Sequence, residues 1–444
     1  MEDKVYRFIK QYKLLESGDD VTVALSGGAD SVALLWTLRR LGPQLGITLR
    51  AAHFHHGIRG EEADRDAEFC HSLCAQWEIP FTLGRGDAPV RAKTTGESLE
   101  EAARVLRYAF LEQTAVGKLA TAHNADDNAE TILLRLLRGT GLRGLGGIPP
   151  KRGNVVRPLL SCTRAEIERL LKENNLPHVE DSSNASDDCL RNRLRHRVLP
   201  LLREENPNLT ETLGRTAKLI RQEDECLSRM AARASEACRA EQDEGLSCRR
   251  LLELDPVIRR RVLLAALRDL GLEDPAAVYV NALEGLLRAG PSARIDLPGG
   301  RQARREYDLL QFDFPTQPII LEETELTVPG TTVLPDGLGE IRCFVTKNSN
   351  FSKKNLTTFA LKCDMIASSV IRVRGRRSGD RLTLTGGTKS LKELMIDKKI
   401  PARLRDAVPV VTLDDQPIAV FGVGADPACT AAPDEVALVL TYSP

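Results

Sequence analysis

Short apolar runs alternate with longer amphipathic segments through the first 140 residues, and this alternation constrains the fold more than any other feature. The apolar runs predict strands at residues 21–26, 47–54, 80–86 and 118–123. The amphipathic segments predict helices at residues 30–41, 61–77, 98–116 and 125–138. Strands that alternate with helices form a parallel sheet with helices on both faces. Ligands of such sheets bind at the carboxyl ends of the strands, so the residues after each strand are the first candidates for a site.

The rest of the chain is predicted to form a mainly helical middle domain and a smaller α+β C-terminal domain. Helical patterns run from about residue 209 to residue 290, and β-like runs between Gly, Pro and Asp turns follow from about residue 293. The predicted domains are an α/β domain at 1–205, a helical domain at 206–315, a β-rich connecting segment at 316–364 and a basic C-terminal domain at 365–444.

The composition excludes some classes of protein. The 444-residue chain is 42% hydrophobic and has a formal net charge of zero. A neutral molecule has no global field that attracts polyanions, so local patches must bind any such partner. No segment approaches the roughly 18 uncharged apolar residues of a membrane helix, and the N-terminus lacks the apolar core of a secretory signal. We therefore expect a cytoplasmic protein without a membrane partner.

The cysteines are scattered along the chain. There are ten of them and no CxxC pair. Cys70 and Cys74 sit with His71 on a predicted helix and could form half of a metal site, but no second ligand pair follows. We favour buried free thiols, which also fit a reducing cytoplasm.

The stretch after the first predicted strand reads Ser26-Gly27-Gly28-Ala29-Asp30-Ser31. A glycine-rich turn that opens a helix is an anion site, because backbone N–H groups and the helix dipole point at the ligand. Asp30 would repel a phosphate unless a cation lies between them, which predicts Mg²⁺ at Asp30. The loop is neither a Walker A loop nor a dinucleotide-binding fingerprint. The alternative is a tight strand–helix turn that the aspartate caps.

Three histidines close the second predicted strand: His53, His55 and His56. On a strand, His53 and His55 share one face and His56 points to the other, and no third metal ligand is evident. We favour polar lining of a nucleotide cleft, with His55 or His56 near phosphate or base, over a zinc site.

The third predicted helix carries two arginines, Arg104 and Arg107, three residues apart. They belong either to a solvated charged face or to a face aimed at phosphates or a carboxylate, and the spacing does not decide between the two. Its apolar face is predicted to consist of Ala102, Val105, Leu106, Ala109 and Phe110.

A histidine and three acids follow the fourth predicted strand. His123 ends the strand, and Asp126 and Asp127 each lie about one helical turn before Glu130. Acids at a helix N-terminus complement the dipole, but three acids and a histidine exceed what capping needs. A carboxylate pair at this edge of the sheet could hold an ammonium group or Mg²⁺.

The segment RNRLRHR, residues 191–197, packs four arginines and a histidine into seven positions. Such density is typical of a surface that contacts phosphates, and a solvated helix face is the alternative. The turn-rich acidic stretch EDSSN precedes it at residues 180–184 and has no evident core role.

The loop SGGADS resembles the SGGxDS PP-loop of the N-type ATP pyrophosphatases. The chain as a whole resembles one family of that superfamily, the tRNA(Ile)-lysidine synthetases, over most of residues 21–205. The stretches that carry the resemblance are SGGADS, HFHHGIR, EEAARVLRY, HNADDNAETILLRLLRGTG, RPLL at 157–160, EDSSN and RNRLRHRVLP.

This resemblance implies that residues 1–205 are a PP-loop domain that binds ATP and Mg²⁺ on residues 26–31. The enzyme adenylates the C2 oxygen of the wobble cytidine in the CAU anticodon of an isoleucine tRNA and releases PPi. Free L-lysine then displaces AMP to give lysidine, which changes decoding from AUG to AUA. The implied roles are lysine ammonium binding for Asp127 and Glu130, phosphate stabilisation for His123 and one of Arg104 or Arg107, and tRNA contact for Arg191, Arg193 and Arg195. A homodimer is possible.

The family also has a C-terminal domain with basic loops, which residues 372–405 resemble. This stretch holds eleven Lys or Arg and three Asp or Glu, as binding to a phosphate backbone requires. We expect this domain to read the acceptor arm and to help reject elongator methionine tRNA. The residues expected to contact tRNA here are Arg374, Arg376, Arg377, Lys389 and Lys392.

Three other functions share part of this pattern. A PP-loop tRNA thiolase would need reactive cysteines at the cleft or a cluster-binding CxxC. A small-molecule adenylating synthetase would not need the basic C-terminal patch or RNRLRHR. A non-enzymatic tRNA-binding protein would have no use for SGGADS or HNADDNAET.

Overall fold

The structure is a computed structural model that describes residues 1–58, 60–180, 190–240, 245–272, 277–315, 319–348, 356–366 and 370–444. It comprises two compact units, Met1–Cys226 and Leu227–Pro444. The division falls inside a helix, Leu209–Cys238, which begins shortly after the domain boundary predicted at residue 205.

The first unit contains a six-stranded sheet. Its strands are β1 Asp20–Ala24, β2 Thr48–His55, β3 Phe81–Arg85, β4 Lys118–Ala120, β5 Lys151–Arg152 and β6 Val155–Val156. They are ordered β3-β2-β1-β4-β6-β5. Every neighbouring pair is parallel except β5 with β6. The parallel sheet predicted from the strand–helix alternation is therefore confirmed.

Helices connect these strands. They are α1 Glu2–Tyr12, α2 Ala29–Leu45, α3 Glu61–Gln76, α4 Ala88–Thr95, α5 Leu99–Thr114, α6 Ala125–Arg138, α7 Leu142–Leu145, α8 Arg164–Glu173, α9 Leu190–Arg193, α10 Leu199–Glu205 and α11 Leu209–Cys238. A 3₁₀ turn spans Pro158–Ser161 and a π-helical turn spans Leu194–Val198. The sequence analysis missed α4, which begins after Asp87, whose side chain accepts a hydrogen bond from the Val90 amide.

The sheet is covered on both faces. Val21 and Val23 of β1 belong to the main core, together with side chains of α1, α2, α3 and α8. Ala24 packs on the other face beside Ala52 and Leu111 of α5. This alternation follows from the two-residue period of a strand, and it leaves the carboxyl ends of the strands open for a ligand.

The apolar face predicted for α5 is partly wrong. Ala102 is buried, and Phe110 packs against Phe54 of β2 with ring centroids 5.5 Å apart. Val105 is 37% exposed and Ala109 is also exposed. Positions four apart form one line along a helix, so Ala102, Leu106 and Phe110 face the sheet while the neighbouring line faces solvent.

The second unit begins with helices and a small sheet. Its helices beyond α11 are α12 Cys248–Glu253, α13 Pro256–Asp269, α14 Ala277–Leu286, α15 Cys363–Ile366 and α16 Leu391–Asp397, with 3₁₀ turns at Pro298–Gly300, Pro335–Gly337 and Ala402–Leu404. The first sheet is built from β7 Leu246–Ser247, β8 Arg294–Leu297, β9 Arg301–Glu306 and β10 Leu309–Asp313, in the order β7-β10-β9-β8.

The C-terminal part of this unit is mainly antiparallel. One sheet has the order β11-β15-β18-β19-β20, a second β12-β13-β21-β14, and β16 pairs with β17. Their bounds are β11 Thr324–Glu325, β12 Gly330–Val333, β13 Glu340–Lys347, β14 Thr358–Lys362, β15 Ile371–Arg374, β16 Arg381–Leu384, β17 Gly387–Ser390, β18 Val410–Leu413, β19 Gln416–Val420, β20 Gly424–Ala425 and β21 Val436–Ser443. Strands of the predicted connecting segment 316–364 thus share sheets with strands of 365–444.

Within the second unit, the β9–β10 turn contacts the segment around the last 3₁₀ turn. The Tyr307 hydroxyl donates to the Ile400 carbonyl oxygen at 3.2 Å, and Arg405 donates to the same hydroxyl at 3.1 Å. Arg403 pairs with Glu306 at 3.0 Å. In the described part of the chain, none of the helices has the length and apolar character needed to cross a bilayer.

Candidate active site

The loop between β1 and α2 forms a hydrogen-bonded turn. The Ser26 amide donates to the Ser31 hydroxyl oxygen at 3.2 Å, and that hydroxyl donates to the Gly28 carbonyl oxygen at 2.9 Å. Gly28 precedes the first residue of α2 and supplies no side-chain cap. The first backbone N–H groups of α2 therefore face outward at the positive end of the helix dipole, as an anion site requires.

Gly27 is required by the conformation of this loop. Its φ of +89° lies in the region that side chains rarely adopt. A Cβ at this position would also come within 3.3 Å of the Cys70 sulfur and 3.4 Å of the Phe69 ring. The Gly27 carbonyl oxygen accepts a hydrogen bond from the Val179 amide at 3.0 Å, so the loop is fixed between α3 and the chain that follows α8.

A cavity of about 670 Å³ opens at the carboxyl ends of β1, β2 and β4. This is the edge of the sheet at which the sequence predicted a ligand. The predicted site residues in its lining are Ser26, Gly28, Ala29, Asp30, Ser31, His55, Arg107, His123, Asp127 and Arg195. Among described residues, Gly27, Arg104, Glu130, Arg191 and Arg193 are outside the lining.

Asp30 is partly desolvated at the mouth of the loop. Burial raises the pKa of its carboxyl group, and repulsion from Asp127 adds to the shift. Asn124, the capping residue of α6, donates to Asp30 at 3.1 Å, and Arg164 lies 4.0 Å from its other oxygen. These two groups partly stabilise the carboxylate.

Asp30 fits a hard divalent cation, because a cation would relieve its repulsion from a phosphate at the loop and from Asp127. Mg²⁺ needs only one or two protein carboxylates when phosphates and water complete its shell. Over the described ranges, the His, Cys, Asp and Glu side chains form no cluster of three or more that could hold a metal by itself. The site thus suits a metal that arrives with a nucleotide.

The histidines of β2 line the cavity, as predicted. His53, His55 and His56 all belong to the lining. The Nδ1 atom of His53 lies 2.8 Å from the Leu25 carbonyl oxygen, and burial lowers the pKa of this imidazole. The Nε2 atom of His55 lies 3.3 Å from Asp64.

The cysteines nearest the loop are inert. Cys70 and Cys74 are free and buried, in agreement with the favoured interpretation. Burial raises the pKa of each thiol to about 12, so both are protonated at neutral pH. Neither lines the cavity.

His123 is a neutral side chain in a cationic neighbourhood. Its pKa is lowered to about 4, chiefly by burial and also by Arg157, Arg191 and Arg107, while Asp127 opposes the shift. Its Nδ1 atom lies 3.1 Å from the Thr121 hydroxyl. At neutral pH, His123 can act on a phosphate as an N–H donor but not as a cation.

The structure brings together two groups of residues whose predicted roles differ, the proposed lysine partners and the proposed tRNA contacts. Arg191 and Arg195 each donate through Nε to the Glu130 carboxylate, at 2.7 and 2.6 Å. The same guanidinium groups lie 3.1 and 3.6 Å from Asp127. We call these four residues the acid–arginine cluster.

The carboxylates of the acid–arginine cluster are largely shielded from solvent. Only 2% of the Glu130 side chain is exposed, against 13% for Asp127. Burial alone would raise the pKa of Glu130, but the hydrogen bonds from Arg195 and Arg191 lower it. Glu130 is therefore an ionised carboxylate whose oxygens already accept two guanidinium groups, while Asp127 also faces the cavity.

Asp126 has a different function from its neighbours. It is buried, and its carboxylate accepts the Arg164 amide at 2.7 Å as well as a hydrogen bond from Arg203. The Thr210 hydroxyl lies 3.5 Å from the same group. Asp126 thus joins α6 to the first residue of α8, to α10 through Arg203 and to the first turn of α11 through Thr210. The sequence had no signal for these long-range partners.

The two arginines of α5 surround one aromatic ring. The guanidinium groups of Arg104 and Arg107 each lie 5.8 Å from the centroid of Tyr108. Arg107 and Tyr108 line the cavity, which makes Arg107 rather than Arg104 the arginine nearer to a bound phosphate. Sequence reasoning had missed Tyr108.

The structure describes Arg193, the remaining predicted tRNA contact of the first unit, and only the first residue of the EDSSN stretch. Arg193 is exposed on α9. Glu180 of the EDSSN stretch lines the cavity, whereas residues 181–184 lie outside the described residues.

The basic C-terminal stretch is less exposed than its composition indicates. The prediction for Arg374 needs correction, because only 3% of this side chain is exposed and it forms a bidentate pair with Asp380 at 2.7 and 3.0 Å. A buried, paired guanidinium is not available to a phosphate. Arg376 pairs with Asp406 and Lys389 with Asp397, each at 2.8 Å.

Three of the predicted contacts in this stretch are exposed, namely Arg377, Lys389 and Lys392. Arg377 pairs with Asp415 at 3.0 Å and also with Glu323. Lys392 is exposed on α16. Acids outside the stretch therefore offset part of its charge, and Lys392 is a better candidate for a phosphate contact than Arg374.

Three domain families match this chain. A PP-loop domain matches residues 1–202, a TilS substrate binding domain matches residues 246–311, and a TilS substrate C-terminal domain matches residues 371–442. The first match contains the whole cavity described above.

Full-length relatives match as well. The tRNA(Ile)-lysidine synthase of Geobacillus kaustophilus is 38% identical over 93% of this chain and 92% of its own length. The enzyme of the same name from Caldanaerobacter subterraneus is 36% identical over 95% of this chain and 93% of its own length. Among solved structures, the U34-tRNA thiolase NcsA of Methanococcus maripaludis covers 50% of this chain and 78% of its own chain at 18% identity and a TM-score of 0.40, too low for an argument about function.

Proposed function

The chain belongs to the tRNA(Ile)-lysidine synthase family, and we propose that it joins free L-lysine to C2 of the wobble cytidine in an isoleucine tRNA with a CAU anticodon. It is an ATP-dependent ligase with a PP-loop domain. The observation that supports this function most directly is the 670 Å³ cavity, where the PP-loop and Asp127 line the same space.

We propose that residues 26–31 bind the pyrophosphate portion of ATP. The outward N–H groups at the start of α2 supply donors, and the Ser26 hydroxyl, which donates to the Ser31 hydroxyl oxygen at 3.1 Å, helps to hold the loop in shape. Asp30 would hold Mg²⁺, which neutralises phosphate charge when it is bound. His55 and His56 line the same cavity and suit polar contact with the nucleotide.

The first step is adenylation of the tRNA. The C2 oxygen of the cytidine attacks the α-phosphorus of ATP, the bond to the β-phosphate oxygen breaks, and PPi leaves. Arg107 and the neutral His123 would stabilise charge on the transferred phosphate, as a cation and as an N–H donor respectively.

The second step transfers lysine. The ε-amine attacks C2 in its deprotonated form. The bond from C2 to the adenylated oxygen breaks, and AMP leaves with that oxygen. The nitrogen, which becomes cationic when it bonds to C2, then loses one proton. Asp127 would hold the incoming ammonium group because its carboxylate faces the cavity. Glu130 contributes the second negative charge while its carboxylate stays paired with Arg191 and Arg195.

The tRNA itself would be held by cations in the cavity lining and next to it. The exposed Arg193, and Arg191 and Arg195 of the acid–arginine cluster, follow Glu180 along the chain near the cavity mouth. The anticodon base must leave its stack to place C2 in the cavity. A homodimer and a cytoplasmic location remain predictions.

The test is an assay with the purified chain, ATP labelled at the α-phosphate, Mg²⁺ and an unmodified CAU-anticodon isoleucine tRNA transcript, with and without labelled lysine. We expect AMP release that depends on both tRNA and lysine, and lysine covalently bound in the tRNA. ATP cleavage without lysine incorporation would contradict the substrate assignment. Sulfur incorporation from a sulfur donor would indicate a thiolase.

A further inference from the structure

Arg164 lines the cavity but has no part in the function proposed so far. It is the first residue of α8 and follows Thr163, whose side chain caps the helix in a capping box with Glu166. Its backbone amide donates to the buried Asp126 at 2.7 Å. The position of Arg164 is therefore fixed from two sides, by the helix cap and by a carboxylate of α6.

The guanidinium group of Arg164 lies beside the PP-loop. Its Nη2 atom is 4.0 Å from the nearer oxygen of Asp30, and 37% of the side chain is exposed. This distance is too long for a hydrogen bond. Considering the described residues alone, the guanidinium group has no hydrogen-bond partner.

The other two arginines of the cavity lining have different partners, and Arg107 is already assigned to the transferred phosphate. Arg195 donates to Glu130 at 2.6 Å, and Arg107 lies over the Tyr108 ring. Arg164 therefore has five N–H donors available, close to the loop where a phosphate group is expected. Asp30 keeps the guanidinium group near that position without using its donors.

We propose that Arg164 binds the pyrophosphate portion of ATP and is a catalytic residue of the adenylation step. The inference rests on the proposed function. As the bond between the α-phosphorus and the bridging oxygen breaks, its electron pair goes to the leaving PPi, which gains negative charge. A guanidinium group can donate two parallel hydrogen bonds to phosphate oxygens, so Arg164 stabilises the leaving group.

The competing role for the same side chain is recognition of the lysine carboxylate. The location favours pyrophosphate. The charged group that lies next to the Arg164 guanidinium is Asp30 of the PP-loop, whereas Asp127 and Glu130, the proposed partners of lysine, are paired with Arg191. The two roles affect different steps, and kinetics can separate them.

The experiment is exchange of labelled pyrophosphate into ATP in the presence of tRNA and without lysine, which reports adenylation alone. We expect Arg164→Gln to lower the exchange rate by about 100-fold and Arg164→Lys to lower it less. The KM for lysine in the complete reaction should stay at the wild-type value. Arg169→Gln is the matched control, since Arg169 is exposed on the same helix outside the cavity lining.

A wild-type rate of exchange in Arg164→Gln would overturn the proposal, and so would a rise in the KM for lysine with exchange unchanged. If Arg164→Gln fails to show a wild-type thermal transition, Arg164→Lys decides by the same two readouts. Absence of exchange in the wild-type chain would contradict the proposed function itself. If the wild-type chain catalyses exchange and Arg164→Gln does so at the same rate, only the role of Arg164 is contradicted.

Discussion

At the scale of single residues, burial decides which groups are charged in this site. His123 is neutral because its imidazole is desolvated among arginines. Glu130 is also desolvated yet ionised, because two guanidinium groups donate to it. Asp30 lies between these cases, since its desolvation is only partly offset by Asn124 and Arg164. The same site thus combines a neutral donor with carboxylates that can hold cations.

The neutral His123 makes the first unit sensitive to acid. Its pKa falls from a usual 6.5 to about 4 on folding, so the unfolded chain binds more protons between these values. Stability should therefore fall as pH drops from about 6.5 to about 4. His53, whose pKa burial also lowers, contributes in the same direction.

Urea unfolding checks the prediction at about pH 7.5, which lies above this window, and at about pH 5, which lies inside it. His123→Gln should show a smaller loss of stability between the two conditions than the wild-type chain. His71→Gln is the control, because His71 is exposed on α3. An equal loss in His123→Gln and in the wild-type chain would show that His123 is not held neutral by the fold.

At the scale of elements, the site depends on contacts between α6 and later segments. Asn124 caps α6 and contacts Asp30, while Asp126 holds the start of α8 and Arg203. Asp127 and Glu130 hold the segment around α9 and the π-helical turn. A single helix therefore positions the PP-loop carboxylate, Arg164 and the acid–arginine cluster.

Asp126→Asn should destabilise the first unit. The change leaves the partly exposed Arg203 without its carboxylate and removes an acceptor from the Arg164 amide, and a lost hydrogen bond to a charged group costs about 1.5–3 kcal/mol. Glu204→Gln is the matched control, because Glu204 is exposed on α10 beside Arg203. Urea unfolding measures both, and an unchanged midpoint for Asp126→Asn would contradict the positioning role of Asp126.

Local sequence patterns predicted the sheet of the first unit and the loop residues at its carboxyl edge. Alternation and glycine placement are local signals, and α6 begins and ends at the residues predicted for it, Ala125–Arg138. The pairing of Glu130 with Arg191 and Arg195 was not predictable, because 61 and 65 residues separate the partners. Arg164 was missed because a lone arginine in the first turn of a helix is typical of a solvated surface.

At the scale of the whole molecule, zero net charge requires local cation patches for tRNA binding. In the second unit, some cations of the basic stretch are held in buried ion pairs, and others are exposed and available to contact a phosphate. Strand alternation would place Arg372 and Arg374 on one exposed face of β15, but Asp380 draws Arg374 into a buried pair. Composition alone could not separate such a residue from the exposed Lys392.

The two residues should therefore respond differently to loss of charge. Arg374→Gln should destabilise the second unit by about 3 kcal/mol, because it leaves Asp380 unpaired. Lys392→Gln should change stability by less than about 0.5 kcal/mol, and it should weaken tRNA binding with a salt slope reduced by about 1. Thermal unfolding and salt-dependent binding measure the two effects. An unchanged stability in Arg374→Gln, or unchanged binding in Lys392→Gln, would contradict the division.

The central claim is that ATP and lysine act in one cavity through separable groups, with Asp127 on the lysine side. The most direct measurement compares Asp127→Asn with wild type in two assays, pyrophosphate exchange without lysine and lysine incorporation against lysine concentration. Glu205→Gln, an exposed change on α10, is the control.

The account predicts that Asp127→Asn raises the KM for lysine by about tenfold to a hundredfold, since a hydrogen bond to a charged group contributes about 1.5–3 kcal/mol. Its exchange rate should change much less. An unchanged KM for lysine together with a loss of exchange would contradict the claim, because it would place Asp127 with ATP and leave the lysine ammonium without its proposed partner.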